Sequence, residues 1–268
     1  MKMRSAMLWL LAFLITAASA VYQRVTGPTY PVRGRVTVGA AEVEFKLLRT
    51  HDSTGDAEIR IEAPDQEIRG DCEFKRYPSQ DEWQYEPLAR EADRLVARIP
   101  KQPPAGKVLY RIRLASEQGT PVPLTEEPVI IRFKGHVPGW ALHPHILGMV
   151  LAMLFAARAG LEAFFKRPQT YWMTVATVAS LLVGGMIFGP IVQKFAFGEF
   201  WTGFPLGYDL TDNKSLIATL VWLVALWRVR KNRKSRGWII AAALFTFAIW
   251  MIPHSVLGSE LDYTTLPQ

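Results

Sequence analysis

Histidine and carboxylate side chains lie beside the apolar segments in the second half of the chain. His145 lies at the start of one apolar segment and His254 near the end of the last, and Glu199, Asp209 and Asp212 lie in a connection between segments. Imidazoles ligate haem iron, and imidazoles with carboxylates hold metal ions. We therefore predict either haem b bound by the two histidines, with quinone nearby, or a metal ion held by His and carboxylate ligands.

His145 is the stronger candidate of the two histidines at the start of its segment. His143 and His145 are two residues apart, so on a regular helix they point about 200° apart and do not share a site. His145 also precedes Gly148 by three residues, and Gly148 begins a row of small residues at a spacing of four. Because small residues in rows mark close helix contacts, we expect His145 to face the interior of a helix bundle.

Each candidate also has a purely structural interpretation. One of Asp209, Thr211 and Asp212 is suited to cap a helix that begins near Lys214, and Lys214 is suited to pair with Glu199. A functional site is favoured because an ionisable group at the edge of a membrane is energetically costly unless it has a partner. Three separate segments place such groups on the same side of the membrane.

The elements that must position these residues are four long apolar segments. They cover residues 141–165, 170–193, 214–229 and 237–256, and they predict a four-helix transmembrane bundle over 141–257. The connection 194–213 is rich in Phe and Trp, which is typical of the lipid headgroup level, so it is expected to cover the outer end of the bundle.

Nearly every Lys and Arg residue between the segments lies on one side of them. Lys166 and Arg167 separate the first two segments, and residues 228–236 contain Arg and Lys at six of nine positions. The positive-inside rule places both connections in the cytoplasm of a bacterial-type inner membrane. The net charge of +7 is then explained by lipid headgroups, and nucleic acid is not expected as a partner.

The first residues combine a charged start with an apolar run. Lys2 and Arg4 precede the run, which extends to Tyr22, and Ala18-Ser19-Ala20 resembles a cleavage site. Residues 1–22 are therefore either a signal peptide or a retained signal-anchor. In both cases the chain leaves the cytoplasm here, and the tail 258–268 also ends outside.

Residues 30–135 have a different pattern. Polar and apolar residues alternate in short runs separated by turn residues, as in 42–47 and 57–62, which predicts an extracytoplasmic antiparallel β-sandwich of immunoglobulin-like architecture. The lone Cys72 excludes an internal disulfide. The predicted fold is thus membrane α+β: an N-terminal apolar segment, the sandwich and the bundle.

Two functions follow from this organisation. The first is a membrane protein with a metal- or haem-type redox site at the outer face of its bundle. The alternative is a non-enzymatic membrane subunit or receptor whose β-sandwich binds a protein partner. The sequence leaves the substrate and the enzyme class open.

Overall fold

A computed structural model describes residues 2–117, 119–254 and 258–265. Its residues form two compact units. The helical unit comprises residues 1–28, 137–195 and 199–259, and the β unit comprises 29–136, 196–198 and 260–268. Within the described ranges the fold combines β-sheets with five helices, one of which precedes the strands.

The β unit forms where apolar and polar residues alternate along the sequence. Its strands are β1 Val32–Val38, β2 Ala41–Leu47, β3 Thr50–Asp52, β4 Ala57–Glu62, β5 Arg69–Tyr77, β6 Gln84–Pro87, β7 Ala89–Glu91, β8 Arg94–Ile99, β9 Lys107–Ala115, β10 Val122–Pro123 and β11 Val129–Lys134. Burial follows the alternation, most regularly in β9, where every second side chain is buried.

The strands pair in three sheets. β1 and β2 form a hairpin around Gly39, whose positive φ of 62° suits glycine. The largest sheet has the order β3-β11-β9-β5-β6 with β10 added to β9, and β4-β8-β7 form the third. The pair β3–β11 is parallel, which differs from the antiparallel arrangement that we predicted, because the three-residue strand β3 adds to the free edge of β11.

Buried side chains of seven strands share one hydrophobic core. Ile59, Ile112 and Phe133 are almost fully buried within it. Cys72 belongs to the same core, where burial first and the nearby carboxylates second raise the pKa of its thiol to about 12. The thiol therefore stays protonated and unreactive at neutral pH.

Residues 260–265 pack on this unit. The backbone N–H of Leu261 donates to the carbonyl of Ala105, and the Tyr263 hydroxyl donates to Gln102 at 2.8 Å. Glu260 forms an ion pair with Lys107, and Asp262 accepts from Thr264 within a local turn. Neither carboxylate therefore belongs to the helical unit.

The five helices follow the apolar segments of the sequence. They are α1 Lys2–Thr26, α2 Gly139–Phe164, α3 Thr170–Phe197, α4 Leu210–Lys231 and α5 Gly237–Trp250. Helix α2 begins five residues before Pro144, so this proline lies inside the helix and beyond its first turn. Helix α3 is continuous but contains a π-helical stretch, Leu181–Phe188.

Small residues and one large aromatic residue define the packing of the helical unit. Gly148 of α2 and Gly184 of α3 meet so closely that a Cβ atom on Gly148 would lie 2.5 Å from the Gly184 Cα. Trp222 of α4 is fully buried, and its Nε1 donates at 2.8 Å to the Thr246 hydroxyl of α5. Close backbone contact and a satisfied indole N–H are both suited to packing in lipid.

Three of these helices are long and apolar enough to cross a membrane: Ser5–Thr26 within α1, α2 and α3. Helix α5 is apolar but has only 14 residues, which corresponds to roughly 21 Å against a hydrocarbon core of about 30 Å. Helix α4 carries Asp212 and Lys214 in its first turns and three basic residues in its last. The four-span bundle predicted for 141–257 is thus matched by two full-length spans, α2 and α3, and α1 is the third candidate.

Candidate functional site

A cavity of about 370 Å³ lies within the helical unit and contains both predicted histidines. Four helices contribute to its wall, and most of the wall is apolar. The lining residues are Thr16, Ser19, Ala20 and Gln23 of α1, Leu142, His145, Ile146, Met149, Val150 and Met153 of α2, Val192 of α3, Trp250 of α5, and His254. A volume of this size falls in the range of about 300–1,000 Å³ that is typical of small-ligand pockets.

His145 is held in a defined orientation. Its Nδ1 lies 2.8 Å from the backbone carbonyl oxygen of Gly184, and its ring is half-buried. When Nδ1 carries the proton, it donates to this carbonyl and leaves the lone pair of Nε2 as a ligand. Histidines that bind metals are generally oriented by such a second hydrogen bond. His143, by contrast, is exposed, as expected for a residue on another face of the helix.

The carbonyl that orients His145 belongs to an unusual helix turn. Gly184 lies in the π-helical stretch of α3, and this kind of wide turn is frequent at functional sites. Gly148, one turn after His145, allows α2 and α3 to approach closely enough for the hydrogen bond to form. The small residues around Gly148 thus position the histidine as well as pack the helices.

His254 follows the last helix. Helix α5 ends at Trp250, so His254 lies in a turn and not in a helix that extends to residue 256 as predicted. It lines the same cavity as His145. The neighbouring carbonyls of Ile252 and Pro253 accept hydrogen bonds from the buried Lys214 Nζ at 2.8 and 3.3 Å.

Lys214 therefore positions the segment that carries His254. The predicted ion pair between Lys214 and Glu199 does not form, because Lys214 donates to backbone carbonyls and Glu199 is exposed. Burial first and the charge of Lys214 second lower the pKa of His254, which favours the neutral ring that a metal or haem iron requires.

Asp212 organises the connection before α4. Its carboxylate accepts from the backbone N–H groups of Thr202 and Gly203 at 2.8 and 3.1 Å, from the Thr202 hydroxyl at 3.2 Å and from Gln193 Nε2 at 3.4 Å. A buried carboxylate with this many donors holds a loop in place. All four donors meet the same oxygen of the carboxylate, Oδ2.

Asp209 is the N-cap of α4. It accepts from the backbone N–H groups of Thr211 and Asp212, and from the backbone N–H and hydroxyl of Ser259 at 2.7 and 2.9 Å. Burial alone would raise its pKa, but the hydrogen bonds from Ser259, Thr211 and Asp212 outweigh it, so the pKa lies below its ordinary value. The carboxylate is ionised at neutral pH and acts as a structural acceptor.

The five predicted ligands are consequently not gathered around one point. In the part of the chain that the structure describes, no group of three or more His, Cys, Asp and Glu side chains is placed to hold a metal ion. His145 and His254 share a cavity, Asp209 and Asp212 bind backbone donors, and Glu199 is exposed.

The sequence reasoning missed several uncharged polar residues. Gln193, Thr202 and Ser259 form a hydrogen-bonded cluster with the two aspartates, and Gln23 of α1 lines the cavity. Side-chain amides and hydroxyls occur throughout the surface of proteins, so nothing in their spacing distinguishes them. The backbone carbonyl of Gly184, which orients His145, likewise gives no signal in the sequence.

Comparison with known proteins adds no further constraint on the site. Neither a protein family, nor a curated protein, nor a solved structure matches the chain.

Proposed function

We propose that this chain is an integral membrane protein whose helical unit binds a flat, largely apolar redox group of the haem or quinone class. The observation that carries the proposal is the cavity of about 370 Å³ that His145 and His254 both line. Its walls are mostly apolar, which suits the body of such a group, and the imidazoles supply the polar contact at its head.

The two ligand classes make different demands on the histidines. Haem would take the Nε2 lone pair of His145, whose ring is already oriented by the Gly184 carbonyl, and His254 as its other candidate ligand. A quinone would accept hydrogen bonds at its carbonyl oxygens from an imidazole N–H. In both cases bound iron or quinone supplies the redox chemistry, and the residues of this chain orient the group and exclude water from it.

A metal ion at this site would have only two of the predicted ligands, His145 and His254. Because Asp209 and Asp212 accept hydrogen bonds from backbone donors, they are poorly available to a metal ion, and a divalent ion generally needs more than two protein ligands. We therefore place the His/carboxylate metal ion behind haem and quinone.

The experiment is an absorption spectrum and an organic extraction of detergent-purified protein. A Soret band that shifts on reduction identifies haem, whereas extracted quinone without such a band identifies the second class. The variants His145→Ala and His254→Ala should lose the bound group, and His143→Ala is the matched control because His143 is exposed on the same helix. The absence of both haem and quinone from the purified wild-type protein would overturn the redox proposal.

We further propose a bacterial-type inner membrane with the N-terminus and the basic connections 165–169 and 232–236 in the cytoplasm. Support comes from the basic residues of both connections, including Arg233, whose guanidinium lies 3.6 Å from the ring centroid of Tyr171. Helices α2 to α5 would then form a four-helix bundle, with α5 the shortest span. Reporter fusions after Lys166 and Arg233 should report cytoplasm, and an external result for either would contradict this topology.

The finer assignment of the β unit is also a proposal: an immunoglobulin-like sandwich in the periplasm. The alternative function, a non-enzymatic subunit or receptor, would use this unit to bind a protein partner. A groove of about 450 Å³ favours it, because its wall carries charges of both signs, from Arg33, Arg35, Glu44, Lys46, Arg60 and Glu62. Site-specific photo-crosslinking at Arg60, with Glu127 as the control position, should yield a discrete adduct only if a partner binds there.

A further inference from the structure

The N-terminal helix α1 has two different faces. Ala12 is completely buried, and Leu8 and Thr16 are nearly so. Leu10, Phe13 and Leu14 are more than half exposed. A helix that turns small and polar residues inward and large apolar residues outward packs on other helices and offers its second face to lipid.

One end of α1 covers a buried ion pair of α2. Arg158 Nη2 lies 2.5 Å from Glu162 Oε1, and both side chains are almost fully buried. The same guanidinium nitrogen donates to the Ser5 hydroxyl at 3.1 Å, and the guanidinium lies 5.0 Å from the ring centroid of Trp9. Serine and tryptophan of α1 thus supply a hydrogen bond and an aromatic face to a charge that cannot reach water.

The ion pair depends on this cover. Among the described residues, Arg158 Nε and Nη1 and Glu162 Oε2 have no hydrogen-bond partner. A buried ion pair that is already incompletely satisfied becomes more costly if lipid replaces Ser5 and Trp9. Trp9 also packs edge-to-face against Phe155 at a centroid distance of 6.2 Å.

The other end of α1 belongs to the ligand cavity. Thr16, Ser19, Ala20 and Gln23 line its wall, and Gln23 Nε2 donates to the backbone carbonyl of Trp250. The residues that resemble a cleavage site, 18–20, lie inside α1, which continues without a break to Thr26. The segment that targets the chain is therefore also part of its packed interior.

We propose that α1 is retained in the mature protein and that Ser19 and Gln23 are further binding residues of the cavity, beside the polar head of its ligand. Retention stands on the contacts of Ser5, Trp9 and Ala12 alone. The role of Ser19 and Gln23 rests on the proposed ligand-binding function of the cavity.

Retention is tested by the intact mass of the protein purified from membranes through a C-terminal tag. We expect the mass of a chain that includes residues 1–20, and N-terminal sequencing that begins at or next to Met1. A mature protein that begins at Val21 would overturn the proposal, because it would lack Ser5, Trp9 and Ala12 altogether.

The packing of α1 is tested by two matched substitutions that add the same apolar volume. Ala12→Leu places the larger side chain in the buried contact, whereas Ala18→Leu places it on an exposed position of the same helix. Both raise the hydropathy of the segment equally, so membrane targeting should not distinguish them. We expect Ala12→Leu to lower the Tm and Ala18→Leu to leave it unchanged; equal Tm values would show that α1 does not pack as described.

The ligand role is tested with Ser19→Leu and Gln23→Leu, again against Ala18→Leu. The ligand for this test is the haem or quinone that co-purifies with the wild-type protein. We expect Ser19→Leu and Gln23→Leu to bind it roughly tenfold or more weakly, which is the effect that one altered group typically has in a binding pocket. Loss on His145→Ala but unchanged affinity for Ser19→Leu and Gln23→Leu would overturn this role and leave the proposed function intact. Absence of any ligand would overturn both the proposed function and the binding role of Ser19 and Gln23. The mass measurement would still decide whether α1 is retained.

Discussion

The two aspartates at the start of α4 and the two histidines of the cavity were predicted as one site, yet they have different roles. Asp209 and Asp212 are buried and accept several protein hydrogen bonds each, so their charges are used within the fold. His145 has one oriented hydrogen bond and borders a cavity, and His254 borders the same cavity. A carboxylate surrounded by backbone N–H groups stabilises the fold, whereas an oriented imidazole beside an apolar cavity is available for a ligand.

The largest stability effect should come from Asp212→Ala. The substitution leaves the backbone N–H groups of Thr202 and Gly203 buried without an acceptor, which should cost roughly 2–4 kcal/mol of unfolding free energy. Denaturant titration in detergent micelles measures it. Glu199→Gln is the control, because Glu199 is an exposed carboxylate of the same connection and should stay within about 0.5 kcal/mol of wild type. Equal losses of stability for Asp212→Ala and Glu199→Gln would show that Asp212 does not hold the connection in place.

Gly148→Val tests the helix contact that positions His145. A Cβ atom here would lie 2.5 Å from the Gly184 Cα, so α2 and α3 must separate, at a cost of about 1–3 kcal/mol. Separation should also break the His145–Gly184 hydrogen bond and weaken ligand binding. Gly185→Ala serves for comparison, because the nearest atom to its Cβ is Met149 Sδ at 3.5 Å. A tolerated valine would mean that the two backbones are not in contact.

Asp209 should make stability depend on pH. Its pKa is lower in the folded protein, so its contribution is complete above the ordinary carboxyl pKa and is lost as pH falls through the folded value. Wild type should exceed Asp209→Asn in stability by about 1 kcal/mol at pH 7, because Asp209 accepts hydrogen bonds with both oxygens and an asparagine amide has only one, and the two should converge in acid. A constant difference from pH 7 down to pH 2 would contradict the ionised cap.

The smallest stability effect should come from His145→Ala. It removes one hydrogen bond, to the Gly184 carbonyl, and should cost about 1 kcal/mol in ligand-free protein. The same denaturant titration measures it, with His143→Ala as the matched control. A loss as large as that of Asp212→Ala would show that His145 is a structural residue like the aspartates, and the contrast between the two pairs would disappear.

The longer strands and the helices were largely predictable from the sequence, but the elements with which each of them pairs or packs were not. Period-two alternation predicted the seven longer strands, because one face of each is buried against the core. It missed β3, β6, β7 and β10, which have two to four residues and exist only through pairing with a neighbour. Likewise, apolar runs predicted the helices, but not that α2 starts at Gly139 or that α5 ends at Trp250.

For the candidate site, the sequence placed His145 on an inward face and His254 near it, and the cavity contains both. It left open whether Asp209 and Asp212 would cap a helix or bind a ligand, because the same carboxylate serves either purpose. Only their surroundings separate these roles: Asp209 meets the N–H groups of α4, and Asp212 meets those of the preceding loop. These donors are backbone N–H groups, which every residue type except proline carries, so residue spacing does not show where they will meet a carboxylate.

By itself the sequence determined which segments are apolar, which alternate and where the basic residues lie, because these properties depend on local composition and period. The tertiary structure alone decided which polar groups meet: Lys214 with the carbonyls after α5, Arg158 with Ser5, and Gln23 with Trp250. The last of these joins residues at nearly opposite ends of the chain. Such contacts follow from how helices pack through small residues in three dimensions, and hydrophobic patterning does not encode which neighbour each helix receives.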